Sequence, residues 1–205
     1  MSHKTARKYS RSAHFFDFFE CPIEYMVFRK LRSEVVSMAE GHVLEIGVGT
    51  GKNLAYYSSG VDVQAIDFSH GMLKMAVGKS IPDGCKVNFC EMDVQTLEFE
   101  ENRFDCSIST FVFCTVPDAK QGLSELYRVL KPGGKAIFLE HQKSRNSLIN
   151  IFLYMMEPMM RLLFGTSMIR ETQDYINASG LIIDSVENKV LDVVRLIVAH
   201  KPVSH

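Results

Sequence analysis

A glycine-rich stretch constrains the fold of this chain more than any other feature. It runs HVLEIGVGTGKN from His42 to Asn53. Its opening apolar run, His42–Ile46, is typical of a strand that is covered on both faces. Glycine permits a sharp turn and the close approach of a ligand, and three glycines follow at alternating positions: Gly47, Gly49 and Gly51. The stretch therefore predicts a buried strand, a ligand-binding turn and a helix over Lys52–Ser58 whose free N–H groups face the ligand.

The spacing of these glycines separates two classes of ligand. A nicotinamide-dinucleotide site needs the pattern G-x-G-x-x-G, and Lys52 stands where its third glycine would fall. The observed pattern is E-x-G-x-G-x-G, beginning at Glu45. It resembles motif I of the class I S-adenosylmethionine (SAM) methyltransferases, whose ligand has no phosphate. A nicotinamide oxidoreductase is a weaker alternative, and so is a plain strand-to-helix turn without a ligand.

Composition places the chain among ordinary globular proteins. Its 205 residues suit one domain with a sizeable core, and 46% of them are hydrophobic. The net charge of −1 gives no general basis for binding nucleic acid, so we expect no such partner. The five cysteines form no C-x-x-C pair, which suits reduced thiols and predicts no metal site. Without a signal peptide or a long apolar run, we expect a cytoplasmic protein.

Two later strands are predicted to end in an acidic residue. They are Val61–Asp67 and Lys86–Asp93. Because the carboxyl ends of parallel strands meet at one edge of a sheet, both acids should lie near the glycine turn. The carboxylate of Asp67 can accept hydrogen bonds from both hydroxyls of a ribose. Alternatively, Asp67 or Ser69 caps a helix over Met72–Lys79.

Two further strands lead to the same crevice. They are predicted within Phe104–Cys114, which includes the exit loop, and over Lys135–His141. Their ends deliver four polar side chains to the crevice edge: Ser109, Thr110, Glu140 and His141. After them, Leu181–Val190 and Val193–His200 are joined by so short a link that they predict an antiparallel hairpin.

The order of these elements resembles one group of methyltransferases. EIGVGTGKN, AIDFS, LKPGG and EH follow one another along the chain, and Lys8–Asp17 is KYSRSAHFFD. That segment looks like the R-Y-D-x-x-A-x-x-Y-D opening of the ubiquinone/menaquinone-biosynthesis-like methyltransferases and their phospholipid N-methyltransferase relatives. Ser10 and Phe16 depart from its acid and its second tyrosine, so no hydroxyl role carries over to residue 16. The C-terminal half also looks like the methyltransferase-like thiol methyltransferases.

This resemblance implies an α/β fold. It would be Rossmann-like and doubly wound, with a mostly parallel sheet of seven strands that ends in the antiparallel hairpin. Residues 1–205 would form a single domain. Within it, residues 1–40 would be an N-terminal helical lid, and residues 145–170 an apolar helical segment inserted after strand five on the substrate side.

The resemblance also implies the cofactor and its contacts. SAM would bind, and S-adenosylhomocysteine would be the product. Asp67 would hold the ribose, and Asp93 with the backbone of Val94 would hold the adenine amino group. The residues predicted to contact SAM are Tyr9, Glu45, Gly47, Gly49, Gly51, Asn53, Asp67, Phe68, Met72, Asp93, Val94, Ser109 and Thr110.

Methyl transfer is an in-line attack on the sulfonium methyl group, so the protein mainly aligns the nucleophile and excludes water. A base is needed only where the nucleophile must lose a proton. His141 is the first candidate and His14 the second, although His141 would also suit a purely structural role. Cys114 has no visible base partner and is interpreted as pocket lining.

The acceptor stays open at this point. A phospholipid head-group amine is favoured over a small thiol or a quinone precursor, and a non-catalytic SAM-binding module is the alternative from another class. Leu148–Phe164 carries four methionines, which suit apolar ligands of varied shape or simply fill a core. Residues 1–32 mix basic and aromatic side chains, so they predict peripheral membrane contact, a pocket lid or packing on the domain. The sequence does not indicate an oligomeric state.

Overall fold

The computed structural model describes residues 27–164 and 166–203, in which five α-helices flank one sheet of seven strands. The helices are α1 (Arg29–Ser37), α2 (His70–Val77), α3 (Ala119–Val129), α4 (Ser147–Phe164) and α5 (Thr172–Ala178). The strands are β1 (His42–Ile46), β2 (Asp62–Asp67), β3 (Lys86–Glu91), β4 (Phe104–Thr110), β5 (Leu130–His141), β6 (Ile182–Val190) and β7 (Val194–His200).

The sheet has the strand order β3-β2-β1-β4-β5-β7-β6. Strands β1 to β5 are parallel to one another, whereas β7 runs antiparallel to both β5 and β6. The order reverses between β1 and β4, and open parallel sheets bind their ligands in the crevice outside the strand ends at such a point. The predicted mostly parallel, seven-stranded sheet with a C-terminal hairpin is confirmed.

Both faces of the sheet are covered, as the apolar character of β1 predicts. Successive side chains of a strand point to opposite faces. Leu44 belongs to the core that α3 and α5 complete with Leu123 and Ile176. Val43 belongs to the other core, to which α1 contributes Val35. The strand therefore ends, at its carboxyl side, between two packed layers that hold the glycine turn.

The hairpin between β6 and β7 turns over two residues. Leu191 and Asp192 have φ angles of 45° and 56°, and the N–H of Val193 donates to the carbonyl of Val190 at 2.8 Å. Two consecutive residues with positive φ match the right-handed twist of the paired strands. The Asp192 carboxylate in turn accepts from the N–H of Arg145 at 2.7 Å, so the turn is tied to the segment that follows β5.

The predicted helix over Lys52–Ser58 is wrong. The structure has a single 3-10 turn at Leu54–Tyr56, after which Tyr57 is extended with ψ of 144°. The sequence YYSSG at this point combines residues of low helix propensity, and so short a helix has little stability without support. The backbone N–H groups near the ligand cradle therefore come from the turn itself.

The boundaries of β5 and α4 differ less from their predicted ranges. The K-P-G-G stretch lies inside the range of β5 rather than before it, as an irregularity between the pairs Phe104–Leu130 and Cys106–Lys135. The segment predicted as an insertion forms α4 along most of its length.

Among the described residues, no helix combines the length and the apolarity needed to cross a membrane. The lid predicted over residues 1–40 lies mostly outside the described residues, and only α1 belongs to them.

Substitution of the first glycine should test the tightness of the turn. At Gly47, where φ is +66°, an added Cβ would lie 2.5 Å from Val112 Cγ2. Valine is stiff about χ1, so this contact is not relieved by a small side-chain rotation. We expect Gly47→Ala to lower the free energy of unfolding by about 1–3 kcal/mol beyond the cost of the backbone conformation alone.

Gly60→Ala is the matched control. Gly60 also has a positive φ, of +85°, but an added Cβ there would meet no atom of residues 27–164 or 166–203 within 4 Å. It should therefore show only the backbone cost of roughly 1–2 kcal/mol. Urea unfolding followed by circular dichroism measures both variants, and equal midpoints for the two would contradict the predicted clash.

Candidate functional site

A buried polar network lies beneath the glycine turn. Glu45, near the end of β1, has only 1% of its surface exposed. Its carboxylate accepts from Asn53 Nδ2 at 2.9 Å and from the Tyr57 hydroxyl at 3.0 Å. Burial raises the pKa of Glu45 to about 7, although both hydrogen bonds favour the ionised form. Glu45 thus anchors the two ends of the segment after the turn, and its contact with SAM stays a prediction.

Arg32 extends this network to α1. Its Nη1 donates to Thr110 Oγ1 at 2.7 Å and to Asn53 Oδ1 at 3.2 Å, and its guanidinium lies 5.4 Å from the centre of the Phe111 ring. The helix before the sheet, the turn after β1 and the end of β4 are therefore joined through one buried cation. Sequence reasoning missed Arg32, since no local pattern marks it.

Asp67 holds the turn from the neighbouring strand. Its carboxylate accepts from the N–H of Gly49 at 2.9 Å and from the N–H of Ser69 at 2.8 Å. Burial raises its pKa to about 6. A carboxylate has about four lone-pair sites, so two remain for the hydroxyls of a ribose. The helix cap is Ser69, whose hydroxyl accepts from the N–H of Met72 at 3.4 Å, and this leaves Asp67 available for a ligand.

The end of β3 lies beside Asp67. The N–H of Met92 donates to the carbonyl of Asp67 at 3.0 Å, so the adjacent Asp93 follows at the same edge of the sheet. Asp93 Oδ1 accepts from the N–H of Gln95 at 3.0 Å. The structure therefore brings the ends of β1, β2 and β3 together as predicted. The remaining members of the predicted set on this side flank these ends: Phe68, Met72 and Val94.

Glu140 fixes the loop on the other side of the crevice. It is fully buried, and its carboxylate accepts from the N–H groups of Val112 and Phe113, each at 2.9 Å. The hydroxyl of Ser109 also donates to it, at 3.2 Å, and is directed into this loop anchor. Burial raises the pKa of Glu140 to about 7. Val112 is the residue that packs against Gly47, so Glu140 helps to set the width of the crevice.

His141 lies next to this anchor but among aromatic rings. Its ring centre is 4.7 Å from that of Phe111 and 6.4 Å from that of Phe28, the latter edge-on. Its Nδ1 is enclosed and has no hydrogen-bond partner among the described residues. Burial lowers the pKa of His141 to about 4, so the imidazole is neutral at pH 7 and weakly basic. Its catalytic role stays a prediction, and the sites proposed at Tyr9 and His14 lie outside the described residues.

Phe111 and Cys114 complete the loop. Phe111 has a φ of 60°, which is uncommon for a large side chain and indicates a loop held in place by its surroundings. Cys114 is buried, with its Sγ 3.2 Å from Thr166 Oγ1. Burial raises the pKa of the Cys114 thiol well above its ordinary value. The geometry therefore agrees with Cys114 as lining and gives no basis for a thiolate nucleophile.

The turn fits the cofactor that the motif implies. Gly47 and Gly51 are required by packing, because an added Cβ at either would come within 3 Å of a neighbour. At Gly49, by contrast, the nearest atom to an added Cβ would be the carbonyl oxygen of Gly47 at 3.9 Å. Among the residues that the structure describes, open space thus lies above the middle glycine, and Asp67 borders it. This is a cradle that a side chain would fill and a ligand edge can enter.

Comparison with known proteins agrees with this geometry. The profile of a family described as "Methyltransferase domain" matches residues 44–138. A phosphatidylethanolamine N-methyltransferase of Cereibacter sphaeroides is 36% identical over 115 residues, which cover 55% of this chain and 57% of that protein. A demethylmenaquinone methyltransferase of Clavibacter sepedonicus is 32% identical, over 71% of this chain and 60% of that protein. A human thiol S-methyltransferase is 33% identical, over 63% of this chain and 55% of that protein. The chain thus spans less than two thirds of each of these relatives.

Solved structures show the same fold. A SAM-dependent methyltransferase of Thermotoga maritima superposes with a TM-score of 0.72 at 18% identity, covering 95% of this chain and 99% of that one. The phosphoethanolamine N-methyltransferase 2 of Haemonchus contortus, bound to phosphomonomethylethanolamine and S-adenosylhomocysteine, has a TM-score of 0.64 at 20% identity, covering 84% and 52%.

Fold, site and sequence together define a class I SAM-dependent methyltransferase domain. The relatives of this chain include the kinds that its motifs predict, the quinone-biosynthesis, phosphatidylethanolamine and thiol methyltransferases. SAM is accordingly its cofactor.

Asp67→Asn should weaken SAM binding at pH 7 by at least about tenfold, because it removes charge-assisted hydrogen bonds to the ribose.

In the wild type, a folded-state pKa of about 6 leaves Asp67 mostly protonated at pH 5 and mostly ionised at pH 7. SAM affinity should therefore rise about tenfold across this range and then level off. Calorimetric titration at each pH measures both effects. The pKa of Glu45 is about 7, so the pH dependence of SAM affinity is also measured in Glu45→Gln to separate its contribution. If Asp67→Asn keeps the wild-type pH dependence of SAM affinity, the assignment of Asp67 to the ribose is refuted.

Arg32→Met should weaken both the fold and the cofactor site. It leaves Asn53 Oδ1 without the Arg32 donor and Thr110 Oγ1 with only the bond from Asn53 Nδ2 at 3.1 Å, and a buried polar group that loses its partner costs about 1–3 kcal/mol. We expect a lower unfolding midpoint together with weaker SAM binding, measured by urea titration and calorimetry. Lys30→Met, on an exposed position of the same helix, is the control. If SAM affinity is unchanged in Arg32→Met, the network does not support the cradle.

Proposed function

We propose that this protein transfers the methyl group of SAM to a lipophilic acceptor, with a phospholipid head-group amine favoured. The class I domain and its glycine cradle support the methyl donor. The observation that supports the acceptor is the outer face of α4. The activity of the whole protein belongs to the same proposal.

The outer face of α4 is apolar and exposed. Its side chains recur at the spacing of one helix face, and 77% of Leu148, 73% of Met155 and 74% of Leu162 is accessible. On the opposite face, Leu153 and Glu157 are buried. A continuous apolar stripe of this kind is unusual on a globular surface and marks a contact with a partner or a ligand. Its exposed members are Leu148, Ile151, Phe152, Met155, Met159 and Leu162.

Helix α4 adjoins the crevice. The segment after it returns to the loop that Glu140 anchors, since the N–H of Ser167 donates to the carbonyl of Cys114 at 3.0 Å. Arg170 Nη1 also donates to the carbonyl of Phe113 at 2.8 Å. The helix itself begins shortly after β5 ends. An acceptor resting on the outer face of α4 would therefore approach the carboxyl edge of the sheet, where the donor methyl is expected.

The charges around this face suit a phospholipid surface. Arg145 and Arg161 are exposed near the two ends of α4, whereas the carboxylate of Glu157 is buried and paired with Arg161 at 2.7 Å. Apolar side chains flanked by cations are typical of helices that lie in the membrane interface. Peripheral membrane contact of the basic and aromatic segment 1–32, expected from the sequence, belongs to the same proposal. Two of the named relatives act, by their names, on a phospholipid and a quinone.

The site supports alignment more than proton removal. When bound, SAM supplies an activated methyl group. The glycine turn and Asp67 would orient it, and the aromatic side chains near His141 would exclude water. With a pKa of about 4, His141 does not hold a proton taken from an ammonium group at neutral pH. If His141 is the group beside the acceptor, the nitrogen reaches it with its lone pair already free.

The low pKa of His141 also favours a second candidate, a small thiol acceptor. A thiol with a pKa near ~8.5 is partly ionised at neutral pH and needs no base. One of the relatives is a thiol S-methyltransferase by name. The apolar face of α4 has no evident use for a small soluble thiol, and for this reason the phospholipid amine is preferred.

Transfer of labelled methyl from SAM distinguishes the acceptors. Phosphatidylethanolamine vesicles, a panel of small thiols and a polyprenyl quinol would be offered in parallel. We expect labelled product with the vesicles. Label only in the thiols would replace the proposal by the second candidate, and label in the quinol by the quinone-precursor alternative. SAM binding without any labelled product would favour a non-catalytic module.

Substitutions on α4 test the role of its outer face. Phe152→Ser combined with Met155→Ser should reduce methylation of vesicle-borne acceptor by at least about tenfold, since burying each side chain is worth roughly 1.5–3 kcal/mol. Both residues are exposed, so the unfolding midpoint and SAM affinity should stay unchanged. Val77→Ser removes an exposed apolar side chain on α2 and is the control. Equal vesicle activity in the two variants would show that α4 does not contact the acceptor.

A further inference from the structure

A polar cavity lies at the carboxyl edge of the parallel strands, beside the end of β5 and the start of β7. Its volume is about 250 Å³, and residues 142–145, the start of α5 and Arg195 line it. Pockets for whole drug-sized ligands are larger, roughly 300–1,000 Å³. The cavity therefore suits a single small group, and its lining determines which.

Arg195 provides a buried positive charge at the cavity. Only 7% of it is exposed. It donates to four uncharged oxygens: Gln173 Oε1 at 2.7 Å, the Lys143 carbonyl at 2.9 Å, Gln142 Oε1 at 3.2 Å and the Asp192 carbonyl at 3.3 Å. No carboxylate lies among the hydrogen-bond partners that the described part of the chain offers it. A guanidinium has five N–H donors, so one remains available together with the charge.

Gln142 provides a second donor. It is 2% exposed, and its Oε1 accepts from Arg195, which directs its amide nitrogen elsewhere. Within the described residues, Nε2 has no hydrogen-bond partner. A buried N–H group left unsatisfied costs about 1–3 kcal/mol. The cavity thus holds one side chain that needs an acceptor and one cation that, among the described residues, has no hydrogen-bonded carboxylate.

The rim adds charge of both signs. Among the lining residues, Lys143 and Arg145 carry positive charge, and Glu171 and Asp174 carry negative charge. Lys143 lies 3.7 Å from Glu171, a long contact for an ion pair. The Asp192 carboxylate nearby is occupied by Ser144 Oγ and the N–H of Arg145. Counting the lining residues alone, three cationic side chains face two acidic ones.

The geometry points to a phosphate-binding site in this cavity, in which Arg195 and the Gln142 amide donate to phosphate oxygens and Lys143 and Arg145 add charge at the rim. The ligand is a phosphate monoester or diester, because tetrahedral oxygens can accept from both donors at once. Its assignment to the head group of the acceptor rests on the proposed function. The cavity begins one residue after His141 and precedes α4, so a phospholipid phosphate there would leave its acyl chains beside the apolar face.

Binding is measured directly, without methyl transfer. Wild-type protein saturated with S-adenosylhomocysteine is titrated calorimetrically with inorganic phosphate, with phosphoethanolamine and with chloride as the salt control. The test variant is Gln142→Glu, which keeps the acceptor for Arg195 but replaces the free donor by a carboxylate. We expect it to weaken phosphate binding by at least about tenfold and to raise the unfolding midpoint, since it neutralises Arg195.

Gln121→Glu makes the same charge change on exposed α3 and should leave phosphate binding unchanged. Should Gln142→Glu fail to fold, Arg195→Gln is measured in its place, with SAM affinity as the check on folding. Equal phosphate affinity in Gln142→Glu and Gln121→Glu would overturn the site, and so would the absence of phosphate binding to the wild type at millimolar concentration.

Kinetics with vesicles then separate the two proposals. If phosphatidylethanolamine is methylated, Gln142→Glu should raise KM for the lipid with little change in kcat. If phosphate binds through Gln142 but no lipid is methylated, the phosphate-binding site is supported with a soluble phosphate monoester as its ligand. The proposed function is then refuted. If lipid is methylated with the same KM in Gln142→Glu, the proposed function stands and the head-group site is overturned.

Discussion

Three buried carboxylates near the carboxyl ends of β1, β2 and β5 hold this structure's site together. Glu45, Asp67 and Glu140 each accept hydrogen bonds from the loop that leaves β1 or β4. Taking a carboxylate out of water costs several kcal/mol unless hydrogen bonds offset it. The pKa values of about 6 to 7, raised by burial, show that the hydrogen bonds offset this cost only in part. The loops are positioned at the expense of stability, which is typical of functional sites.

The same network makes the cofactor cradle depend on a helix outside the sheet. Arg32 on α1 reaches Thr110 and Asn53, residues far away in sequence, and so joins α1 to both sides of the strand-order reversal. A buried guanidinium without these acceptors would be costly, so the docking of α1 and the closure of the turn favour one another. The position of α1 is therefore coupled to the geometry of the turn that forms the cofactor cradle.

Sequence reasoning succeeded where local pattern and physical requirement coincide. The apolar runs of β1 and β2, the glycines and the strand-end position of Asp67 follow from short-range chemistry. The prediction of a helix over residues 52–58 was wrong because it rested on the helix that usually follows such a glycine turn. The low helix propensity of the YYSSG sequence argued against it. Arg32 and Tyr57 were missed because their partners, Thr110 and Glu45, are brought near only by the tertiary fold. For α4, the apolar residues were evident, but periodicity cannot tell which face of a helix is turned outward.

The environment of His141 links the fold to the choice of acceptor. An imidazole held between Phe28 and Phe111, with an enclosed Nδ1, stays neutral because burial in an apolar setting penalises its charged form. Within the described part of the site, His141 thus contributes to positioning and to the exclusion of water rather than to proton removal. Chemistry at the acceptor atom is then limited to nucleophiles that arrive with a free lone pair. Selection among those nucleophiles would then fall to surfaces beyond the reacting atoms, and the exposed apolar face of α4 is the surface to which our proposal assigns it.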